Sequence, residues 1–167
     1  RLEGALRRTD RLTLSKQAKE ERALAEMALQ ALDILVEDGG SVVFPRIVSQ
    51  LHDDLNRAGE LLDAQKTDGY TQLVQQEIET TLEELIEALQ KLQKDRKGGG
   101  GGGGGGGNEP LLPNSAELKL LKAAQLRVNR RTAGFERLRP DGPLDDVLTK
   151  EVVDISNRQA EVADLTQ

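Results

Sequence analysis

The stretch FPRIVSQLHDDLNRAGELL, residues 44–62, decides the fold. Its larger apolar residues, Phe44, Val48, Leu51, Leu55, Ala58 and Leu62, recur at intervals of 4-3-4-3-4. An α-helix completes a turn about every 3.6 residues, so this spacing gathers all six on one stripe. A strand would need apolar residues at every second position. Pro45 fits the first turn of a helix, where its missing N–H has no partner to lose. The same proline argues against a central strand through Ser41-Val42-Val43-Phe44. A stripe with this heptad-like period has to bury itself against neighbouring helices.

The chain upstream reads the same way. A first helix is expected from the start to about Glu37, with Leu24, Ala28, Ala31 and Leu35 on its apolar side. Its N-terminal half, Arg7 to Arg22, is mostly charged and polar and is expected to project as an arm beyond the bundle. Asp38-Gly39-Gly40 stops it, because glycine adopts the left-handed conformation common at helix ends. Ser41 is the expected cap of the second helix. So short a connection makes these two helices antiparallel.

Downstream, Thr67-Asp68-Gly69-Tyr70 marks a turn, with Thr71 read as a cap. The third helix carries Val74, Ile78, Thr81, Leu85, Ala88 and Leu92, while Leu82, Ile86 and Leu89 widen its apolar face. Ten consecutive glycines, 98–107, then form a flexible spacer. They are no phosphate loop, because Asn-Glu-Pro follows them where Lys-Ser/Thr would be required. Asn114 and Glu117 have the spacing of a capping box. The fourth helix presents Leu118, Leu121, Gln125, Val128, Thr132 and Phe135, and Arg139-Pro140-Asp141-Gly142-Pro143 breaks it. The fifth starts near Leu144 and places Leu148, Val152, Ile155, Gln159 and Val162 on one side. The expected fold is therefore all-α: an antiparallel bundle of four to five helices with coiled-coil-like seams and a flexible poly-Gly loop. Residues 1–97 form a three-helix unit, 98–114 a linker, and 115–167 a helical hairpin packed on the first unit.

Composition excludes several kinds of chemistry. The 167 residues contain no Cys, no Trp and one His, so there is no disulfide framework, thiolate site or thiol nucleophile. Three aromatics, Phe44, Tyr70 and Phe135, make no platform for stacking bases. His52 stands beside Asp53 and Asp54 but falls off the apolar seam and has no second histidine, so a surface position is expected. No catalytic, cofactor-binding or metal-binding residue is assigned. No apolar run reaches the roughly 18 residues of a membrane span. The chain opens on Arg1 without a visible signal peptide and is expected to be a mature form or a fragment of a longer protein.

The net charge of −6 is unevenly placed. Residues 77–87 contain five glutamates and no base, residues 119–139 seven bases and one acid, and residues 140–167 seven acids and two bases. The simplest consequence is internal: the basic fourth helix packs beside the acidic third and fifth, and charge selects the arrangement. The candidate partner-binding residues are Lys119, Lys122, Arg127, Arg130 and Arg131 on one side and Glu79, Glu83, Glu84 and Glu87 on the other. The alternative is an external anion, such as nucleic-acid phosphates, on the basic helix 119–139. The acidity of the whole chain speaks against it. Gln125, Thr132, Thr81 and Gln159 interrupt apolar seams. They are either a polar layer that fixes register or the edge of a loose bundle.

Two stretches, Ser41-Val-Val-Phe-Pro-Arg-Ile-Val-Ser-Gln-Leu-His-Asp-Asp54 and Ile78-Glu-Thr-Thr-Leu-Glu-Glu-Leu-Ile-Glu-Ala-Leu-Gln90, resemble a family of uncharacterised coiled-coil-rich proteins of planctomycetes and related bacteria. Glu117-Leu-Lys-Leu-Leu-Lys122, Leu126-Arg-Val-Asn-Arg-Arg-Thr132 and Ile155-Ser-Asn-Arg-Gln-Ala160 are similar to the C-terminal part of that family. The resemblance implies export to the cell envelope or periplasm and a non-enzymatic role, with the cytoplasm as the alternative location. It carries no site residue. The function expected is a structural or protein–protein interaction module, with a protein partner or self-association, no cofactor and no small-molecule substrate. A regulatory adaptor for a membrane complex is a more specific form of the same idea.

Overall fold

A computed structural model describes residues 7–98, 114–139 and 141–166. Five helices follow one another: α1 (Arg8–Asp38), α2 (Val43–Asp63), α3 (Gly69–Gly98), α4 (Asn114–Leu138) and α5 (Asp146–Asp164). Among the described residues there is no strand. The helices pack on one another as an all-α bundle. Residues 1–6 and the segment 99–113, with most of the glycine tract and the Pro-rich stretch, lie outside the described residues, as does the side chain of Asn114.

The α2 stripe is the centre of the core. Phe44, Val48, Leu51, Leu55, Ala58 and Leu62 are all buried, joined by Ile47 and Leu61. Tyr70, Val74, Ile78 and Leu85 of α3 and Leu120 of α4 complete the main cluster. Helix α2 touches α1, α3 and α4, and α4 touches α3 and α5; α5 also reaches α2 through side chains.

Helix ends follow local chemistry. Gly39 closes α1 in the left-handed region at φ +63°, its N–H donating to the Leu35 carbonyl. Ser41 Oγ accepts from the Phe44 N–H at 3.1 Å. At α3 the capping carboxylate belongs to Asp68, whose Oδ1 accepts from the N–H groups of Tyr70 and Thr71. Thr71 instead donates its hydroxyl to the Lys66 carbonyl. Asp145 caps α5 by accepting from the Leu148 N–H at 2.8 Å.

The seam of α1 differs from the expected one. Leu24 and Ala31 are exposed, and the buried residues are Leu14, Ala18, Ala25 and Ala28. Small residues let α1 and α2 approach closely, with Gly59 of α2 against Ala18 of α1. The expected arm is partly docked: Leu14 and Ala18 form a small core with Leu62, and Arg22 pairs with Asp63. A Cβ at Gly59 would stand 3.2 Å from the Ala18 carbonyl oxygen and 3.3 Å from Arg22 Cγ. Gly59→Val should therefore push α1 outward and lose about 1–3 kcal/mol in urea unfolding.

Helices α3, α4 and α5 depart from their expected seams as well. Leu82, Ile86 and Leu89 do not widen the buried face of α3 but are exposed. In α4 the buried line is Leu120, Ala124, Arg127, Val128, Arg131 and Phe135, while Leu118 and Thr132 face outward. In α5 it is Glu151, Arg158 and Val162, with Val152 exposed. The last two shifts share one cause: charged residues occupy interior positions.

Candidate functional site

Those interior charges come from three helices. On α2, Asp54 precedes the seam residue Leu55 and is buried. On α4, Arg127 and Arg131 stand one turn apart; on α5, Glu151, Asp154 and Arg158 share a face at intervals of three and four. Arg131 Nη1 donates to Asp54 Oδ1 at 2.6 Å, and Arg131 Nη2 donates to Glu151 Oε2 at 3.0 Å and lies 3.2 Å from Asp154. Arg158 grips Asp54 with both terminal nitrogens, at 2.7 and 2.9 Å, and donates from Nε to Asp154 at 2.8 Å. The Tyr70 hydroxyl of α3 donates to Glu151. Four helices thus meet on two guanidiniums and three carboxylates.

A second set ties α4 to α3. Arg127 pairs with Glu84, and Arg130 Nε lies 3.2 Å from Glu77. Arg57 holds the entry to α5 by donating to the Val147 carbonyl at 3.2 Å, with its guanidinium 5.8 Å from the centre of the Tyr70 ring. The α2–α5 contact also includes Gln50, which donates to Glu161 at 2.6 Å. Gln125 and Gln159 exchange amide hydrogen bonds at 2.9 and 3.1 Å between α4 and α5, at an accessible edge. Thr81 is buried and bonds its own helix through the Glu77 carbonyl. The polar seam residues therefore divide: one pair bridges two helices, and Thr81 and Thr132 close back on their own backbone.

The electrostatics follow from burial and pairing. Burial alone would push the Asp54 carboxyl up, but the guanidiniums of Arg131 and Arg158 outweigh it and hold Asp54 below the ordinary range. Burial disfavours the charged form of Arg131, yet Asp54 and Glu151 outweigh that and raise its pKa well above the usual value. For Asp154, burial wins over Arg158 and Arg131, and its pKa is raised. Burial, with the Glu151 carboxylate beside it, pushes the Tyr70 phenol up to about 12. Burial lowers Arg127, against the pull of Glu84 and Glu77, and its Nη2 is buried without a protein partner.

A cavity of about 200 Å³ adjoins the cluster, lined by Asp53, Asp54, Arg57, Arg131, Lys150, Glu151, Asp154 and Arg158. The lining offers no hydroxyl, thiol or imidazole, and Asp54, Glu151 and Asp154 are all held by guanidiniums. These pairings fix helix positions; Asp53 and Lys150, which also line the cavity, are exposed. Among the described residues, no group of three or more His, Asp or Glu is placed to hold a metal ion.

The residues singled out from sequence separate into inside and outside. Arg127 and Arg131 are buried and Glu84 is partly buried, all in internal pairs; Arg130 is accessible but engaged with Glu77. Lys119, Lys122, Glu79, Glu83 and Glu87 are exposed. His52 is partly buried, with its ring 3.1 Å from Asp53 and 3.0 Å from Asn56. Asp54, Glu151, Asp154, Arg158 and Tyr70 were missed. The available signal was the i, i+3, i+7 spacing of Glu151, Asp154 and Arg158, a charged stripe where an apolar one is usual.

The surface carries a second feature. Leu24, Met27 and Ile34 of α1 are 45%, 63% and 68% exposed, and Leu82, Ile86 and Leu89 of α3 are 37%, 52% and 50% exposed. Both sets have helical spacing, so each is a continuous apolar stripe. No family model, curated protein or solved structure matches the chain.

Proposed function

We propose that the protein is a non-enzymatic protein–protein interaction module that binds through the outer faces of its helices. The observation that carries this reading is the pair of apolar stripes on α1 and α3. Isolated exposed leucines are ordinary, but aligned ones mark contact surfaces. The basic helix is the weaker candidate surface, because Arg127 and Arg131 are already engaged inside. A location in the bacterial envelope or periplasm belongs to the same proposal and rests on the family resemblance. No helix among the described residues is long and apolar enough to cross a membrane.

Affinity capture from the native host tests the reading, with wild type compared against a Leu24→Asp/Ile86→Asp double variant. Both positions are exposed, so the variant should keep its helical circular dichroism. The expected result is a partner retained by wild type and lost from the variant. An identical set of captured proteins from both would contradict it.

A further inference from the structure

Helix α1 has an outer face that nothing in the bundle covers. Among the described residues it packs on α2, with one hydrogen bond, Gln75 to Glu21, toward α3. Its buried residues Leu14, Ala18 and Ala25 face α2. Leu12, Lys16 and Ala23 each precede one of these by two residues, and Met27 follows Ala25 by two. Two residues are a little over half a turn, so these four point away from α2. The face continues through Lys19, Gln30 and Ile34. All seven residues are exposed.

The order of residues on this face reads the same from both ends. Positions 12, 16, 19, 23, 27, 30 and 34 follow one another at 4-3-4-4-3-4, symmetric about Ala23. Ala23 is also the midpoint of α1 (Arg8–Asp38). Reversing the helix sets Leu12 opposite Ile34, Lys16 opposite Gln30 and Lys19 opposite Met27. Charge is reversed between the halves. Residues 8–22 contain five bases and three acids, and residues 24–38 contain four acids and no base. Arg8, Lys19, Glu26 and Glu37 recur at 11-7-11, close to three, two and three turns, so they line one flank, and all four are exposed. Reversal sets Arg8 against Glu37 and Lys19 against Glu26.

We propose that α1 pairs antiparallel with the α1 of a second copy, about a two-fold axis at Ala23. The inference rests on the interaction-module reading and names the partner of its α1 face. Such an interface is isologous, each half serving both copies. Leu12 of one copy packs on Ile34 of the other, and the two Ala23 residues let the helices approach closely at the axis. The Lys19 stem covers Met27 while its ammonium reaches Glu26. The Lys16–Gln30 layers are polar and fix the register. A parallel pair would set the two acidic halves side by side, so charge selects the antiparallel one.

Sedimentation equilibrium of the full chain should show a monomer–dimer equilibrium with a Kd on the order of 10 µM. Met27→Ser/Ile34→Ser, both at exposed positions, should keep the helical circular dichroism and weaken the dimer about tenfold or more. Lys19→Glu should weaken it about three- to tenfold at low salt and less at high salt. Lys19→Glu/Glu26→Lys should restore it, because the exchanged charges meet again across the axis. The chain has no cysteine, so crosslinking reads the orientation. Ala23→Cys should form an interchain disulfide on air oxidation. Ile34→Cys should not, because an antiparallel pair holds these positions about 33 Å apart.

A chain that stays monomeric at about 100 µM would overturn the proposal. So would a dimer that Met27→Ser/Ile34→Ser leaves unchanged, or an Ile34→Cys disulfide as complete as that of Ala23→Cys. The broader reading is judged separately. A monomer that still captures a partner through its stripes would overturn the second copy alone; a monomer without such capture would take the interaction reading with it.

Discussion

Asp54→Ala is expected to lose about 3–5 kcal/mol of stability, the usual cost of breaking a buried ion pair by removing one side. The reason lies in what remains. Arg131 and Arg158 both donate to Asp54, and both are buried. Without that carboxylate, two buried guanidiniums confront each other with Glu151 and Asp154 as their remaining partners. Domains hold about 5–15 kcal/mol in total, so urea unfolding should show a large shift of the midpoint. Asp54→Asn keeps the shape and two acceptor lone pairs on its carbonyl oxygen, so it should fall between wild type and alanine. A loss below about 1 kcal/mol for Asp54→Ala, the level of a surface pair, would mean that the cluster is not closed.

The pH dependence has a definite sign. The Asp54 pKa is depressed in the folded state, so its contribution is present above the unfolded value of about 3.9 and is lost as pH falls through the lower folded value. Asp154 acts oppositely. Its folded pKa is raised, so the cost of keeping it ionised at neutral pH is relieved as pH falls through that value. Stability should hold into mild acid and fall in strong acid, and Asp54→Ala should flatten that last limb.

Leu55→Ala is expected to lose about 2–5 kcal/mol, comparable to the neighbouring Asp54 substitution but for another reason. Leu55 is 2% exposed and sits in the main core cluster at the centre of α2. Removing the Cγ methine and its two methyl groups there forfeits their transfer from water and leaves a cavity that packed helices fill only in part. The loss should stay the same from neutrality into strong acid, whereas that of Asp54→Ala should shrink in strong acid. Calorimetry or urea unfolding at two pH values separates the two mechanisms.

These adjacent residues also show what a sequence can reveal. Leu55 belongs to an apolar stripe of helical period, and period alone places it inside. Asp54 has no such mark. A carboxylate is almost always at the surface unless paired, and its partners are 77 and 104 residues away. The same reason shifted the seams of α4 and α5. Period places apolar residues inside, while Arg131, Glu151 and Arg158 are buried there because each pairs with an opposite charge. The opposed charges of the third, fourth and fifth helices did point to their packing together, and α4 does lie against α3 and α5. On α1 the difference has a steric origin: Ala18, Ala25 and Ala28 are chosen for close approach to α2, and Leu24 is left on the outer flank.

Paired charges of α2, α4 and α5, with Tyr70 of α3, join the helices inside the bundle. Tyr70 reports on the interior directly, because it is the single tyrosine of the chain and there is no tryptophan. Its phenol is pushed up to about 12 by burial and by Glu151. A folded pKa above the unfolded value of about 10 means stability that is complete below that value and is lost as pH rises toward the folded one. A spectrophotometric titration of phenolate absorbance, in buffer and in concentrated urea, is therefore the most direct test. The midpoint should lie near 10 in urea and be displaced upward toward 12 in the folded protein. Coincident midpoints near 10, with the helical signal intact, would contradict it.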